Sequence, residues 1–356
     1  MAKLGGAVVF CCGCVLFAFL AGRQPAVAAE TFDGVVFRLV NEAINGNYSV
    51  PGDPRVGPAL IRLLFHDCWL TGCDGSVLLS STPTDGNNTE RTAASNIGLG
   101  GFDLINKIKA EINNTANDAS CADILAFAAR DAAGILSGGA ISYAVATGRR
   151  DGANSSAAAA NAALPGSTFK FTQLAASFAA RGMGSGDLVA LSGAHSVGVC
   201  HSSSFDDRLD PAKSAGEINA TYQVALIRDV AEKKQLQGNQ DPIEMNNIRD
   251  MNSSFQSASL YDATGVNPSK GVLDNSYYTA NLQNMVLLRS DWALTTDGVA
   301  RNKMQEYKKN ATKWYEDFGA AMARLSKLLP PEGQYLEDKR KNCSVTNLSF
   351  MNSNGY

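Results

Sequence analysis

Leu60-Ile61-Arg62-Leu63-Leu64-Phe65-His66-Asp67-Cys68-Trp69-Leu70-Thr71-Gly72-Cys73-Asp74-Gly75-Ser76 is the stretch from which the rest of the chain can be read. Arg62 and His66 are four residues apart, which on a helix stacks them on one face. Beside Phe65 and Trp69 they would make a polar pair in an apolar pocket; the same spacing also fits a surface arginine and a histidine satisfied at a helix end. Asp67, Asp74 and Ser76 are hard oxygen donors within ten residues. Gly72 can bend the chain so that backbone carbonyls join them. That reads as a calcium loop, with an ordinary acidic turn as the alternative. Cys68 and Cys73 are close enough in sequence to bridge and would tie this loop shut if the geometry permits.

A second histidine segment lies downstream: Asp187-Leu188-Val189-Ala190-Leu191-Ser192-Gly193-Ala194-His195-Ser196-Val197-Gly198. Leu188, Leu191 and His195 fall on one side of a helix read over Asp187–His195. Small residues around His195 leave room for something large and flat. A neutral imidazole there could ligate a metal or, equally, sit in the core with its hydrogen bond satisfied.

Outward from these segments the spacing is helical and strand alternation is lacking. Cys121, Ile124, Leu125 and Ala128 follow i, i+3, i+4, i+7, and Phe171, Leu174, Ala175 and Phe178 repeat it before Gly182. Thr312–Leu328 is a long amphipathic helix stopped by Leu329-Pro330-Pro331. The chain is therefore expected to be mostly α. Ser80–Asn88 reads as a polar loop and Ala153–Thr168 as an Ala/Asn/Ser-rich break between two halves. Gln235–Pro268 shows little periodicity. No internal repeat is found.

The sequence has 356 residues, 45 % apolar and 18 % charged, so a packed core is expected and disorder is not. A net charge of −3 argues against a nucleic-acid partner. Lys3, the apolar run Leu4–Gly22 and Ala26-Val27-Ala28-Ala29 describe a secretory signal peptide over residues 1–29, cleaved after Ala28 or Ala29; an uncleaved membrane anchor is the alternative. Cleavage leaves 29 basic and 34 acidic residues, a net charge of −5, and removes Cys11, Cys12 and Cys14. Of the eight cysteines, Cys68, Cys73, Cys121, Cys200 and Cys343 then remain, an odd number that leaves at least one thiol unpaired. Secretion would expose glycosylation triplets at Asn47, Asn87, Asn113, Asn154, Asn219, Asn252, Asn310, Asn342 and Asn347.

Taken together, the two histidine segments resemble, in order and spacing, the secretory plant heme peroxidases (class III), across roughly residues 33–347. The distal signature of that family resembles Arg62–Cys68 and its proximal signature Leu191–Gly198. Further similar stretches are Ser120–Leu125, Gly148–Gly152, Leu273–Tyr278 and Ser290-Asp291.

The resemblance implies an all-α fold whose distal half (about 30–165) and proximal half (about 166–330) sandwich one non-covalent heme b, followed by a tail over 331–356. It implies His66 as general base and then general acid toward hydrogen peroxide, with Arg62 stabilising developing charge and Phe65 completing the distal triad. Asn96 would accept a hydrogen bond from His66, and Glu90 would orient Asn96. His195 would be the axial ligand of iron and Asp291 the acceptor of its other ring N–H. A distal calcium would take Asp67, Asp74, Ser76 and the carbonyls of Leu70 and Gly72. A proximal calcium would take Ser196, Ser269, the Val272 carbonyl and Asp274; the family's first aspartate falls on Val266, unless an insertion lets Asp262 serve. Pro165 matches a proline at the donor opening, where Ser167 replaces a second proline and Phe169 can line the mouth. Cys68–Cys73 and Cys121–Cys343 match two family disulfides and Cys200 is left free; where a third bridge begins, this chain has Ser202. The implied protein is a secreted monomer, free of the membrane after cleavage, reducing hydrogen peroxide with small phenolic donors. The alternative is a non-catalytic heme- and calcium-binding glycoprotein of the same fold.

Overall fold

Twelve α-helices carry the described part of the chain: α1 Phe32–Asn45, α2 Val56–Thr71, α3 Phe102–Ile112, α4 Cys121–Leu136, α5 Ala157–Ala163, α6 Phe171–Ala179, α7 Ser185–Ser192, α8 Ala220–Leu236, α9 Ser276–Leu282, α10 Arg289–Ala293, α11 Gly298–Lys309 and α12 Ala311–Leu325. Two small antiparallel pairs join them: β1 (Asp151–Gly152) with β4 (Leu336–Glu337), and β2 (Val199–His201) with β3 (Ile243–Met245). The coordinates are a computed structural model that describes residues 30–84, 86–113, 118–238, 240–251 and 271–349. The signal segment 1–29, Asn252, Asp262, Val266 and Ser269 lie outside the described residues. No helix among the described residues is long and apolar enough to cross a membrane.

The core is built around α2 and α4. Leu60, Leu63, Leu64 and Trp69 of α2 are sealed against Ile124, Leu125 and Ala128 of α4 and the α1 face of Val36, Leu39 and Val40. Each such leucine contributes about 1.5–3 kcal/mol of burial. Trp69 also reaches α6: it stacks on Phe65, meets Phe178 at 4.5 Å between ring centres, and lies under the Arg181 guanidinium. The helix carrying Arg62 and His66 is thus gripped on several sides. It ends at Gly72, whose φ of +81° and contact with the Leu329–Pro330 backbone leave no room for a Cβ.

Asp151 holds the far end together. Its carboxylate accepts hydrogen bonds from the Cys121 and Ala122 N–H groups at the start of α4 and from Arg340 N. Beside it, the Cys121–Cys343 disulfide closes a separation of 222 residues, worth about 5 kcal/mol by loop closure. Cys68–Cys73 is also bonded, and Cys200 is the free cysteine among the described residues. Ser202 bonds Asp241 at 2.6 Å instead of bridging, which tethers the β2–β3 pair.

Two boundaries differ from the sequence reading. The break Ala153–Thr168 contains α5, capped by the Ser156 hydroxyl on Ala159 N. Its alanines favour helix; polarity of the flanks hid them. The helix read over Asp187–His195 is instead α7 followed by a 3₁₀ turn, Gly193–Ser196. Gly193 touches Trp314 and Tyr278 so closely that a Cβ would meet both at 2.6 Å. Tyr278 Oη and Trp314 Nε1 donate to the carbonyls of Val189 and Ala190, ending the helix and setting His195 on the tighter turn.

Candidate active site

Arg62 and His66 do stack on one face of α2: Arg62 Nε donates to His66 Nε2 at 3.2 Å. His66 Nδ1 lies 2.6 Å from Asn96 Oδ1. The amide oxygen can only accept, so the ring proton sits on Nδ1 and Nε2 is the basic nitrogen. Burial, reinforced by the Arg62 charge, pushes the His66 pKa down to about 3. The ring is therefore neutral and ready to take a proton.

Asn96 is fixed from behind. Its Nδ2 donates to the Glu90 backbone carbonyl at 2.8 Å. Glu90 thus orients Asn96 through its main chain, not through its carboxylate. The Glu90 N–H is held by Ser155 Oγ and the Ser95 N–H by Asn161 Oδ1 of α5. Neither Ser155 nor Asn161 stood out in the sequence, because both lie in the segment read as a break.

His195 sits on the 3₁₀ turn that follows α7. Its Nδ1 is 2.9 and 3.0 Å from the two Asp291 oxygens, leaving Nε2 without a partner from this dyad. Burial opposes its charge, but the Asp291 carboxylate more than offsets that and raises its pKa. Asp291 is itself held by Tyr277 Oη at 2.9 Å and by Asn281 Nδ2 on its carbonyl. Tyr277 and Asn281 stand four apart on α9 and bond each other, a pairing the sequence spacing could have revealed. Around His195, and around Arg62, Phe65 and His66, the structure leaves open space.

That space suits a flat ligand. The His195 side chain is 38 % exposed although Gly193 and Ser196 around it are buried. Arg62, Phe65 and His66 are likewise only half-buried between sealed neighbours. A half-exposed imidazole strengthened by a carboxylate, and a second imidazole held neutral beside a guanidinium, fit a heme held through His195. Pro165 is half-buried just beyond α5, and the Ser167 carbonyl accepts from Ser290 N, tying that segment to Asp291. Burial pushes the Cys200 thiol up to about 12, which disfavours the thiolate.

Behind His66 lies the acidic loop. Asp67, Asp74 and Ser76 are fully buried. Asp67 accepts from Gly75 N, and Asp74 from Ser76 N and Gln334 Nε2. Burial and the neighbouring Asp74 hold Asp67 well above the usual carboxylate range; burial also raises Asp74. Glu90 is raised well above its range by burial and by both aspartates. Its two oxygens are buried without a hydrogen-bond partner of proper geometry, although the Ser76 and Ser155 hydroxyls ease its charge. Among the described residues no cluster of three or more His, Cys, Asp and Glu side chains forms a metal cage. The set here is mixed: two carboxylates, a hydroxyl and the turn carrying the Leu70 and Gly72 carbonyls. Uncompensated buried negative charge on such a set fits a hard dication.

The proximal set does not fit one. Ser196, Val272 and Asp274 do converge, but the Arg249 guanidinium stands among them. Ser269, the remaining expected donor, is outside the described residues.

A helical fold with two half-buried histidines, one ring paired with an arginine and an asparagine and the other with an aspartate, fits the heme peroxidase class. Comparison with known proteins agrees. The family model described as Peroxidase matches residues 36–310. The chain is 36 % identical over 300 residues to Peroxidase 5 of Vitis vinifera, covering 83 % of each chain. It is 35 % identical over 302 residues to Peroxidase RIP1 of Medicago truncatula, again covering 83 % of each. It is 34 % identical over 288 residues to the lignin-forming anionic peroxidase of Nicotiana sylvestris, covering 80 % of each. The chain belongs to the peroxidase family, and its relatives are the class III plant enzymes that its motifs resemble. It is an oxidoreductase, and the family implies heme; a non-catalytic role is not favoured.

Proposed function

We propose that this chain is a secreted peroxidase, monomeric and released from its signal segment 1–29, that uses heme b to reduce hydrogen peroxide and oxidise small phenolic donors. The observation that carries the reading is the Asn96–His66–Arg62 chain, which presents an unprotonated Nε2 that accepts from the Arg62 guanidinium. Heme, when bound, supplies an iron that accepts oxidation by two electrons and returns it to donors one electron at a time. His195 Nε2 would hold it, with Asp291 making the imidazole a stronger donor. His66 Nε2 takes the proton from the near oxygen of hydrogen peroxide and delivers it to the far oxygen as water leaves. Arg62 offsets the negative charge that grows on the departing oxygen. Phe65, stacked on Trp69, keeps the distal wall apolar. Pro165 and the loop after it are assigned to the donor mouth. Calcium is assigned to Asp67, Leu70, Gly72, Asp74 and Ser76, where it would relieve the buried carboxylates directly behind His66.

The lignin-forming relative supports phenolic donors as the substrate class. The test is stopped-flow mixing of the heme-loaded protein with hydrogen peroxide, followed in the Soret band, for wild type and His66→Ala. The variant is expected to bind heme with an intact Soret band yet react about 10²–10⁴ times more slowly. Unchanged peroxide reactivity in the variant would refute the assignment.

A further inference from the structure

Arg249 is 4 % exposed, and its guanidinium bonds six oxygen atoms of the described residues. Nε and Nη2 fork onto the two Asp250 oxygens at 2.9 and 3.0 Å. Nη1 donates to Asp274 Oδ2 at 2.9 Å and to Ser276 Oγ at 3.0 Å. Nη2 also donates to the carbonyls of Ser196 and Val272, at 2.9 and 3.0 Å. Two carboxylates, one hydroxyl and two backbone carbonyls around one point are the donor types and number that a calcium ion takes. A guanidinium satisfies them instead with its five N–H groups, permanently charged and covalently attached. A cation cannot enter without expelling it, and three of the five residues around it, Ser196, Val272 and Asp274, are among those assigned to a proximal calcium.

We infer that Arg249 replaces the proximal calcium of this peroxidase, so that the proximal half carries its own cation and the protein binds calcium only on the distal side. The consequence reaches the heme ligand. Ser196 follows His195 directly, and its carbonyl is held by Arg249 and by Asn247 Nδ2. Ser276 opens α9, the helix whose Tyr277 and Asn281 hold Asp291. Arg249 thereby ties the turn of His195 to the helix that fixes its partner, and it acts as a positioning residue. Chelators should strip calcium from behind His66 and leave the geometry of His195 alone.

The inference rests on the family reading for the comparison with calcium, but its test needs no turnover. Holoprotein equilibrated with calcium chloride and desalted is assayed for bound calcium by atomic absorption, for wild type, Asp74→Asn and Arg249→Gln. One calcium per chain in wild type and none in Asp74→Asn is expected. Arg249→Gln is expected to gain one calcium, to lower the thermal midpoint in chelator by about 5–15 °C, and to shift the iron–imidazole stretch of the ferrous protein in resonance Raman spectra. Arg249→Lys should restore part of the midpoint but not the full stretch, since lysine keeps the charge and loses the fork. Two calcium ions in wild type, or one retained in Asp74→Asn, would overturn the inference. So would a folded Arg249→Gln protein with unchanged midpoint and stretch. If Arg249→Gln does not fold, the counts on the other two proteins decide. A wild-type count of none would overturn the second half of the inference, calcium on the distal side alone.

Discussion

The two sides of the heme cleft meet the same electrostatic problem and solve it differently. Behind His66, Asp67, Asp74 and Glu90 are buried together, and the hydrogen bonds that the two aspartates accept come from neutral donors; Arg340 donates to the carbonyls of Gly75 and Gly152 rather than to a carboxylate. Behind His195, Asp250 and Asp274 are also buried, but Arg249 lies between them. A buried carboxylate needs a cation nearby, because the interior does not solvate it. A free ion can be lost to a chelator or to dilution, whereas a side chain cannot. The lesson is that a site's oxygen donors do not by themselves say whether its cation comes from solution or from the chain.

The largest effect should separate the halves by chelation. Removing calcium from wild type is expected to lower stability by about 3–5 kcal/mol, the cost of leaving buried charge unpaired, and added calcium should restore it. Equal loss of stability in calcium-replete and chelated protein would erase the distinction. Differential scanning calorimetry with and without chelator makes the measurement.

A second effect is a pH slope confined to the calcium-free distal side. Folded Asp67, Asp74 and Glu90 have pKa values above their unfolded ones near 4. The folded state therefore holds more protons, so stability is full below the unfolded values and is lost as pH rises through the folded ones. Thermal midpoints taken in chelator at rising pH should fall, and calcium should remove that fall. A flat profile in chelator would show that the distal carboxylates are not in distress.

The smallest effect tests the proximal support. Tyr277→Phe removes one hydrogen bond to Asp291 and the acceptor for Asn281 Nδ2, and is expected to cost about 1–2 kcal/mol in urea unfolding. It should also move the iron–imidazole stretch less than Arg249→Gln does. A shift as large as that of Arg249→Gln would mean that the dyad, rather than the cation behind it, carries the proximal geometry.

Much of the active site was legible because its chemistry is local. Arg62 and His66 share one face of α2; Asp67, Asp74 and Ser76 lie within ten residues across the end of that helix. His195 was legible as a residue, though not as part of a 3₁₀ turn, since Trp314 and Tyr278 come from other helices to end α7. The helix α5 was missed because Ala and Asn carry no periodic stripe, and with it went Ser155 and Asn161. Arg249 was missed for a related reason: it stands in a stretch without periodicity, and a lone arginine does not look like the answer to a metal site.

The sequence by itself determined the helical class, the two histidines and the residues adjacent to them, because apolar periodicity and four-residue spacing act within a single helix. Only the tertiary structure decided that Glu90 holds Asn96 through its carbonyl and that a guanidinium stands where a proximal calcium was expected. The physical reason is distance along the chain. Ser196, Arg249 and the Val272–Asp274 stretch belong to separate segments, and which cation the oxygens enclose is fixed only when folding brings them within 3 Å of the Arg249 side chain.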